Sequence, residues 1–289
     1  MSEALEHSDA PSRLGPWLAA ARLGWAIESN WADPFVFMTY QIVRPLFGAL
    51  ILVVMFKIVT GQPTSSAVFG QMYVGNAFFI LVVQCVSCIG LVIFDDRERY
   101  QMLRYIYLAP IGLGAYLAAR GMARLAATTV SILFTLAVGA WLFGLRYHLS
   151  PADLPYFSLI LILGGIATLA MGIMLGGSTM LMAQNGWSMP EGVSGVLYLF
   201  CGAVFSIDIL PWPFSAVARL IPWTYWLEGI RRSLLGSGYV ASLAGLTNAQ
   251  ILLRLGIGTA GTVAVAWLTL RFAEYRAVAT GKLDEKTDH

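Results

Sequence analysis

The chain has 289 residues, of which 58% are hydrophobic and only 12% charged, and its mean hydropathy is +0.71. That composition leaves too little polar surface for a soluble globular domain and makes the chain an all-α integral membrane protein. The net charge of +2 comes without a basic groove pattern, which gives no ground for a nucleic-acid partner.

Residues 1–11 form a polar, acidic tail with no basic stretch leading to a cleavage site, so no removable signal peptide is expected. Over 12–33, Leu14, Trp17, Leu18, Ala21 and Trp25 recur at intervals of three and four, interrupted by Arg13, Arg22 and Glu28. The mixture is too polar to span a bilayer. Trp17, Trp25 and Trp31 favour the headgroup layer, so an interfacial amphipathic helix is predicted. Pro34 then suits a helix start, where its missing N–H costs nothing.

A crossing needs about 20 apolar residues. Six stretches qualify within a permease domain at 34–276, namely 35–59, 68–94, 122–145, 156–183, 192–210 and 251–272. Six crossings put both termini on one side. If that side is the cytoplasm, Arg13, Arg22, Arg44, Arg97, Arg99, Arg104, Arg120, Arg124, Arg271, Arg276, Lys282 and Lys286 lie inside. Lys57, Arg146, Arg219, Arg231, Arg232 and Arg254 lie outside, so twelve of the 18 basic residues obey the positive-inside rule.

The bend between the second and third crossings, 95–110, is the densest charged segment. Arg97, Glu98, Arg99 and Arg104 alternate there with Met102, Leu103, Ile106 and Tyr107 at helical spacing, which predicts a short amphipathic helix at the inner membrane surface with one face free to press on something and the other polar. Residues 207–248 are too many for a turn and too apolar for a solvated loop. Pro211, Pro213 and Pro222 cut them into pieces shorter than a crossing, so 211–236 is predicted to be a re-entrant helical hairpin at the outer face. Asp208 and Glu228 need basic partners there, for which Arg231, Arg232 and Arg219 are near enough in sequence, and Glu228 with Arg231, three residues apart, is the pair expected to hold the hairpin. Residues 277–289 are read as a charged cytoplasmic tail.

Little in the chain carries covalent chemistry. Cys85 and Cys88 have metal or redox spacing but sit one helical turn apart inside a span, and His7, His148 and His289 fall in three separate polar regions, so no metal site is expected. A nucleotide cradle would need a glycine-rich loop ending in Gly-Lys-Ser or Gly-Lys-Thr. Only Gly281-Lys282 comes near, and Leu283 follows it. No bound cofactor is expected on this chain, and without a nucleophile elbow or an acidic pair it is not read as an enzyme. A secondary transporter would carry ionisable groups at midspan or broken helices in two related halves; the spans here are nearly free of charge and the halves look unlike each other, which leaves an ATP-independent secondary transporter as the alternative from another class.

Two groups of residues carry a family resemblance. Glu98, Met102-Leu103, Leu108-Ala109-Pro110, Tyr116-Leu117 and Arg120 are similar to the cytoplasmic signature of the permeases of type-2 ATP-binding-cassette (ABC) exporters, with Tyr100-Gln101 standing where the family usually has Gly-Thr. Gly202-Ala203-Val204-Phe205, Ile209-Leu210-Pro211, Ile221-Pro222, Tyr225, Glu228-Gly229-Ile230-Arg231 and Leu234-Leu235-Gly236 resemble the family's last third in order and spacing.

The resemblance implies a permease of the bacterial plasma membrane that pairs with a second copy of itself or a related chain. The pair would meet along the first, second and fifth spans and bind two copies of a separate ABC ATPase, which carries ATP and Mg. Segment 95–110 would be the coupling helix, docking through Arg97, Glu98, Arg99, Met102, Leu103 and Arg104. Trp212, Trp223, Tyr225, Trp226, Glu228 and Arg231 would belong to the external gate. The cargo would be a hydrophobic or amphipathic drug, antibiotic or membrane lipid, as in multidrug efflux, with a lipid-linked polysaccharide as the alternative.

Overall fold

The computed structural model describes residues 14–29, 34–61, 66–182 and 188–280, and its regular elements there are helices. In chain order they are α1 (Leu14–Ser29), α2 (Pro34–Thr60), α3 (Ala67–Phe94), α4 (Leu103–Leu108), α5 (Leu113–Phe143), α6 (Leu154–Leu181), α7 (Met189–Phe200), α8 (Phe214–Ala218), α9 (Pro222–Leu235) and α10 (Asn248–Thr280). Apolar runs of this length have no alternative in lipid, because only a helix satisfies its own backbone there.

Among the described residues four helices are long and apolar enough to cross a membrane: Ala67–Arg99, Leu113–Phe143, Pro151–Leu181 and Asn248–Ala277. They match the second, third, fourth and sixth predicted spans. The first, 35–59, lies within α2, which has 27 residues, with its apolar composition described over Leu46–Thr60. The fifth differs. Residues 192–210 do not make one helix: α7 has 12 residues, about 18 Å at the helical rise, and ends before Gly202 reverses the chain at φ +69°. Leu197 and Cys201 lie buried on one side of this reversal and Ile207 on the other, so an unbroken apolar run conceals a turn.

The core is built around α3. In its most apolar stretch 61% of the residues are buried, against 44% for the fourth-span helix, 33% for α5 and 22% for α10, the least buried of the four. One cluster joins Val74, Phe78, Val82 and Val86 of α3 to Ile160 of α6 and Trp226 of α9. A second, toward the α4 end, joins Ile89 and Ile93 to Tyr116 and Leu117 of α5 and Ala20 of α1. The third packs Phe69 and Tyr73 against Phe56 of α2 and Leu145 beyond α5. Polar ties run between helices too: Tyr73 Oη donates to the Thr135 carbonyl at 2.7 Å, and Thr179 Oγ1 to the Gly90 carbonyl at 3.1 Å. The glycines of α6 serve packing, since the helix is unbroken and Gly164 lies directly beneath the Trp226 indole.

The interfacial helix predicted over 12–33 is described as α1, packed on α5, with Trp25 46% exposed; the tail 1–11 and Trp31 lie outside the described residues. At the other end α10 runs on to Thr280 with Ala277 buried, so the helix takes in the first residues assigned to the tail, and 281–289 lie outside the described residues.

Candidate functional site

The inner bend is two pieces rather than one amphipathic helix. α3 continues as a π-helical turn, Asp95–Arg99; Gln101 then takes φ +50°, and α4 begins at Leu103. This break decides which face points outward. Leu103 and Ile106 are buried among Ile93, Tyr116 and Leu117, so what the apolar stripe presses on is the protein's own core. Left on the surface are Tyr105 at 72% and Leu108 at 84% exposure, with Arg99 and Tyr100 beside them.

Of the residues expected to dock, then, Arg99 is exposed and Glu98 partly so, with its Oε1 accepting from Arg97 Nε at 3.0 Å. Arg97 and Leu103 are buried, Met102 is half-buried, and the Arg104 side chain lies outside the described residues. Arg97 also reaches the Met182 carbonyl with Nη2 at 3.4 Å, which fastens the bend to the end of α6.

Beneath the bend is a group that sequence reasoning missed. Arg120 Nη1 donates to Asp96 Oδ1 at 2.8 Å and to Tyr116 Oη at 3.0 Å, while Tyr116 Oη donates to Asp96 Oδ2 at 2.8 Å. The Arg120 and Asp96 side chains are 5% and 1% exposed. A buried charge is stable only when paired and hydrogen-bonded, and here each partner satisfies the other. The available signal was a carboxylate at the end of one long apolar run and an arginine near the start of the next.

A cleft of about 1070 Å³ runs between α2, α3, α5 and α7. Its α4 end is charged, with Asp95, Arg99, Arg124 and Glu191; Phe79, Ile80 and Val83 make an apolar wall farther along. Gln84 accepts from Arg124 within it. At the far end α7 touches α3, where Tyr198 Oη donates to Asn76 Oδ1 at 3.1 Å and the Phe79 and Tyr198 rings lie 5.2 Å apart.

Beyond that contact the chain forms the two short helices expected of the hairpin, α8 and α9, with Pro222 at the start of α9 and Gly236 after it. The expected pair of Glu228 with Arg231 does not form. Glu228 accepts from Arg232 Nε at 3.2 Å and from the backbone N–H groups of Tyr239 and Val240 at 3.1 and 3.3 Å. The fourth residue along a helix is as near as the third, and Arg232 takes the carboxylate while Arg231, a further 100° round, faces α3. There Arg231 donates to the carbonyls of Gln71, Gly202 and Ala203 at 2.9, 2.8 and 2.8 Å and lies 4.8 Å from the Tyr239 ring centre.

The aromatic cluster is also turned inward. Trp223 donates to Thr168 Oγ1 at 3.0 Å, Tyr225 to the Arg219 carbonyl at 2.7 Å, and Trp226 meets Phe78 edge-on at 6.1 Å. All three are buried, and of the expected gate aromatics only Trp212, at 83%, is exposed. Asp208, on the loop before α8, accepts from the Ser242 N–H at 3.1 Å and faces Arg219 at 3.7 Å. Burial opposes its ionisation, but the bonds from Ser242 and Ser206 and the Arg219 charge outweigh that and hold the carboxyl below its ordinary value. Among the described residues no group of three or more His, Cys, Asp or Glu side chains could hold a metal ion.

A family model for ABC-2 type transporters matches residues 23–235, most of the chain and all of the elements from α2 to α9. The chain belongs to the ABC-2 type transporter family. It is therefore a membrane component, the permease part of an ABC transporter and not itself catalytic, in a family whose permeases work with ABC ATPase partners. The match takes in both the bend at α4 and the α8–α9 hairpin, so the ABC-2 domain contains every residue named as lining the cleft. A comparison with curated protein sequences finds no match.

Proposed function

We propose that this permease exports a hydrophobic or amphipathic molecule, a drug, antibiotic or lipid, from the bacterial plasma membrane with both termini in the cytoplasm. Two copies, or one copy and a related chain, meet along α2, α3 and α7 and enclose two such clefts. Two ATPase subunits, carrying ATP and Mg, dock on the exposed tip of α4 through Tyr105 and Leu108, with Arg99 and Tyr100 at the margin. Aromatic and aliphatic anchors surrounded by polar groups are the residues that carry most protein interfaces.

The observation that carries this reading is the cleft itself. It has a charged mouth toward α4, an apolar wall, and an outer end at which α7 meets α3. A polar head is solvated at such a mouth while an apolar body is taken up by the wall, which suits an amphipathic cargo. The distribution of basic residues supports the orientation, since the mouth lies among the arginines expected inside.

The test is transport in inverted membrane vesicles that contain the permease with its ATPase. ATP-dependent accumulation of a fluorescent amphiphile, absent from vesicles with the permease alone, is expected. Accumulation driven by an ion gradient without any ATPase would make the chain a secondary transporter and overturn the proposal.

A further inference from the structure

Where α7 meets α3 at the outer end of the cleft, a side chain that does not line the cleft joins them a second time. Tyr198 and Asn76, which line that end, belong to α7 and α3. One to two helical turns farther out, the same two elements are bridged again by Arg231 of α9. Its Nε is on the Gln71 carbonyl of α3, and its Nη2 is on the Gly202 and Ala203 carbonyls where the chain leaves α7. The guanidinium is 1% exposed, and Gly75 of α3 leaves room for it, since a Cβ there would fall on the guanidinium.

The chemistry of this bridge sets it apart from a packing contact. A buried cation with no carboxylate hydrogen-bonded to it is held directly by fixed dipoles, and here these are carbonyls of two separate elements and the face of Tyr239, with the Glu228 charge acting through space from a helical turn away. Were α7 to part from α3, the cation would lose either one carbonyl or two at a stroke, with no water at hand to replace them. Glu228 makes no hydrogen bond to Arg231, because Arg232 and two backbone N–H groups take its oxygens, and its charge reaches the guanidinium only through space.

We infer that Arg231 is the positioning residue that holds the outer end of the cleft shut, by tying α7 to α3 from the hairpin side. The hairpin and the outer end of α7 thereby move as one part, and the outer opening of the cleft follows the position of α9. This rests on the export reading above, in which the hairpin faces outside.

Gly195 of α7 gives a reporter, since it lines the cleft and a Cβ added there meets nothing within 4 Å. In a chain with Cys85, Cys88 and Cys201 changed to alanine, Gly195→Cys is labelled in intact cells with a membrane-impermeant maleimide. With Arg231 in place labelling from outside is expected to be slow. Arg231→Lys, Arg231→Met and Gly75→Ala should each raise its rate about tenfold or more, whereas Asp208→Asn, which loosens a different outer contact, should leave it unchanged. Rate per folded molecule is the readout, so a variant that merely lowers the amount of protein does not imitate the result. If the arginine variants fail to reach the membrane, Gly75→Ala, which keeps the charge and crowds the guanidinium, decides. Rates within twofold of the parent in all folded variants would overturn the inference. Fast labelling from outside in the parent would overturn the closed outer end, and with it the export reading, whatever Arg231 does.

Discussion

The two ends of α3 each hold a buried arginine, and they hold it differently. At the inner end Arg120 meets a carboxylate, Asp96, at 2.8 Å, with Tyr116 bonded to both. At the outer end Arg231 meets three carbonyls and a ring. An ion pair is electrically closed, and its attraction falls slowly with separation. A cation among dipoles is held by interactions that fall faster with distance and depend on where each dipole points. The inner group therefore suits a strut that passes force from the bend into α3 and α5 without yielding. The outer group suits a joint that is tight in one arrangement and weak in others.

The largest effect that tests this contrast is expected at the inner end. Asp96→Ala strands the Arg120 charge in the interior and should cost about 3–5 kcal/mol, read as a loss of folded protein or a lowered unfolding temperature in detergent. Adding Arg120→Leu should recover most of that loss, because the pair is then replaced by apolar volume; a double variant as damaged as the single one would show that the contribution lies elsewhere. Next comes Gly75→Ala. Its methyl group overpacks the Arg231 site, and a cost of about 1–3 kcal/mol is expected, with no loss from Gly192→Ala, where a Cβ meets nothing within 4 Å. A cost near zero would mean that the outer joint has slack.

The smallest effect is expected at Asp208, which is tied to Arg219 at 3.7 Å near the surface, with side chains 26% and 50% exposed. Solvent screening limits Asp208→Asn to less than about 1 kcal/mol. Because the folded carboxyl titrates below its ordinary value, its contribution is present above the range of an unfolded aspartate and is lost as the pH falls through the lower folded value. A thermal-shift series from neutral to acid pH should show the wild type and Asp208→Asn converging at the acid end.

How much of this was legible in the sequence differs from segment to segment. Long apolar runs were enough to locate α3, α5, α6 and α10, because nothing in lipid competes with a helix of that length. Proline spacing was enough to expect short helices after Leu210. Composition could not reveal the reversal at Gly202, since Cys201, Ala203 and Ile207 are as apolar as a span and only the backbone angle breaks it. Periodicity found the stripe of Leu103 and Ile106 but not what it presses on, because the turn at Gln101 sets that direction. Nor can spacing choose between the third and fourth residue after Glu228, and only the position of α3 sends Arg231 one way and Arg232 the other.

The account turns most on the tip of α4, where Leu108 is 84% exposed while Leu103, five residues earlier, is buried. The direct measurement is co-purification of the ATPase with the tagged permease carrying Leu108→Asp, together with ATP hydrolysis by what is recovered. Loss of the ATPase and of permease-stimulated hydrolysis, from a permease that remains folded and in the membrane, is the predicted result. An ATPase that stays bound and stimulated would contradict docking at this face.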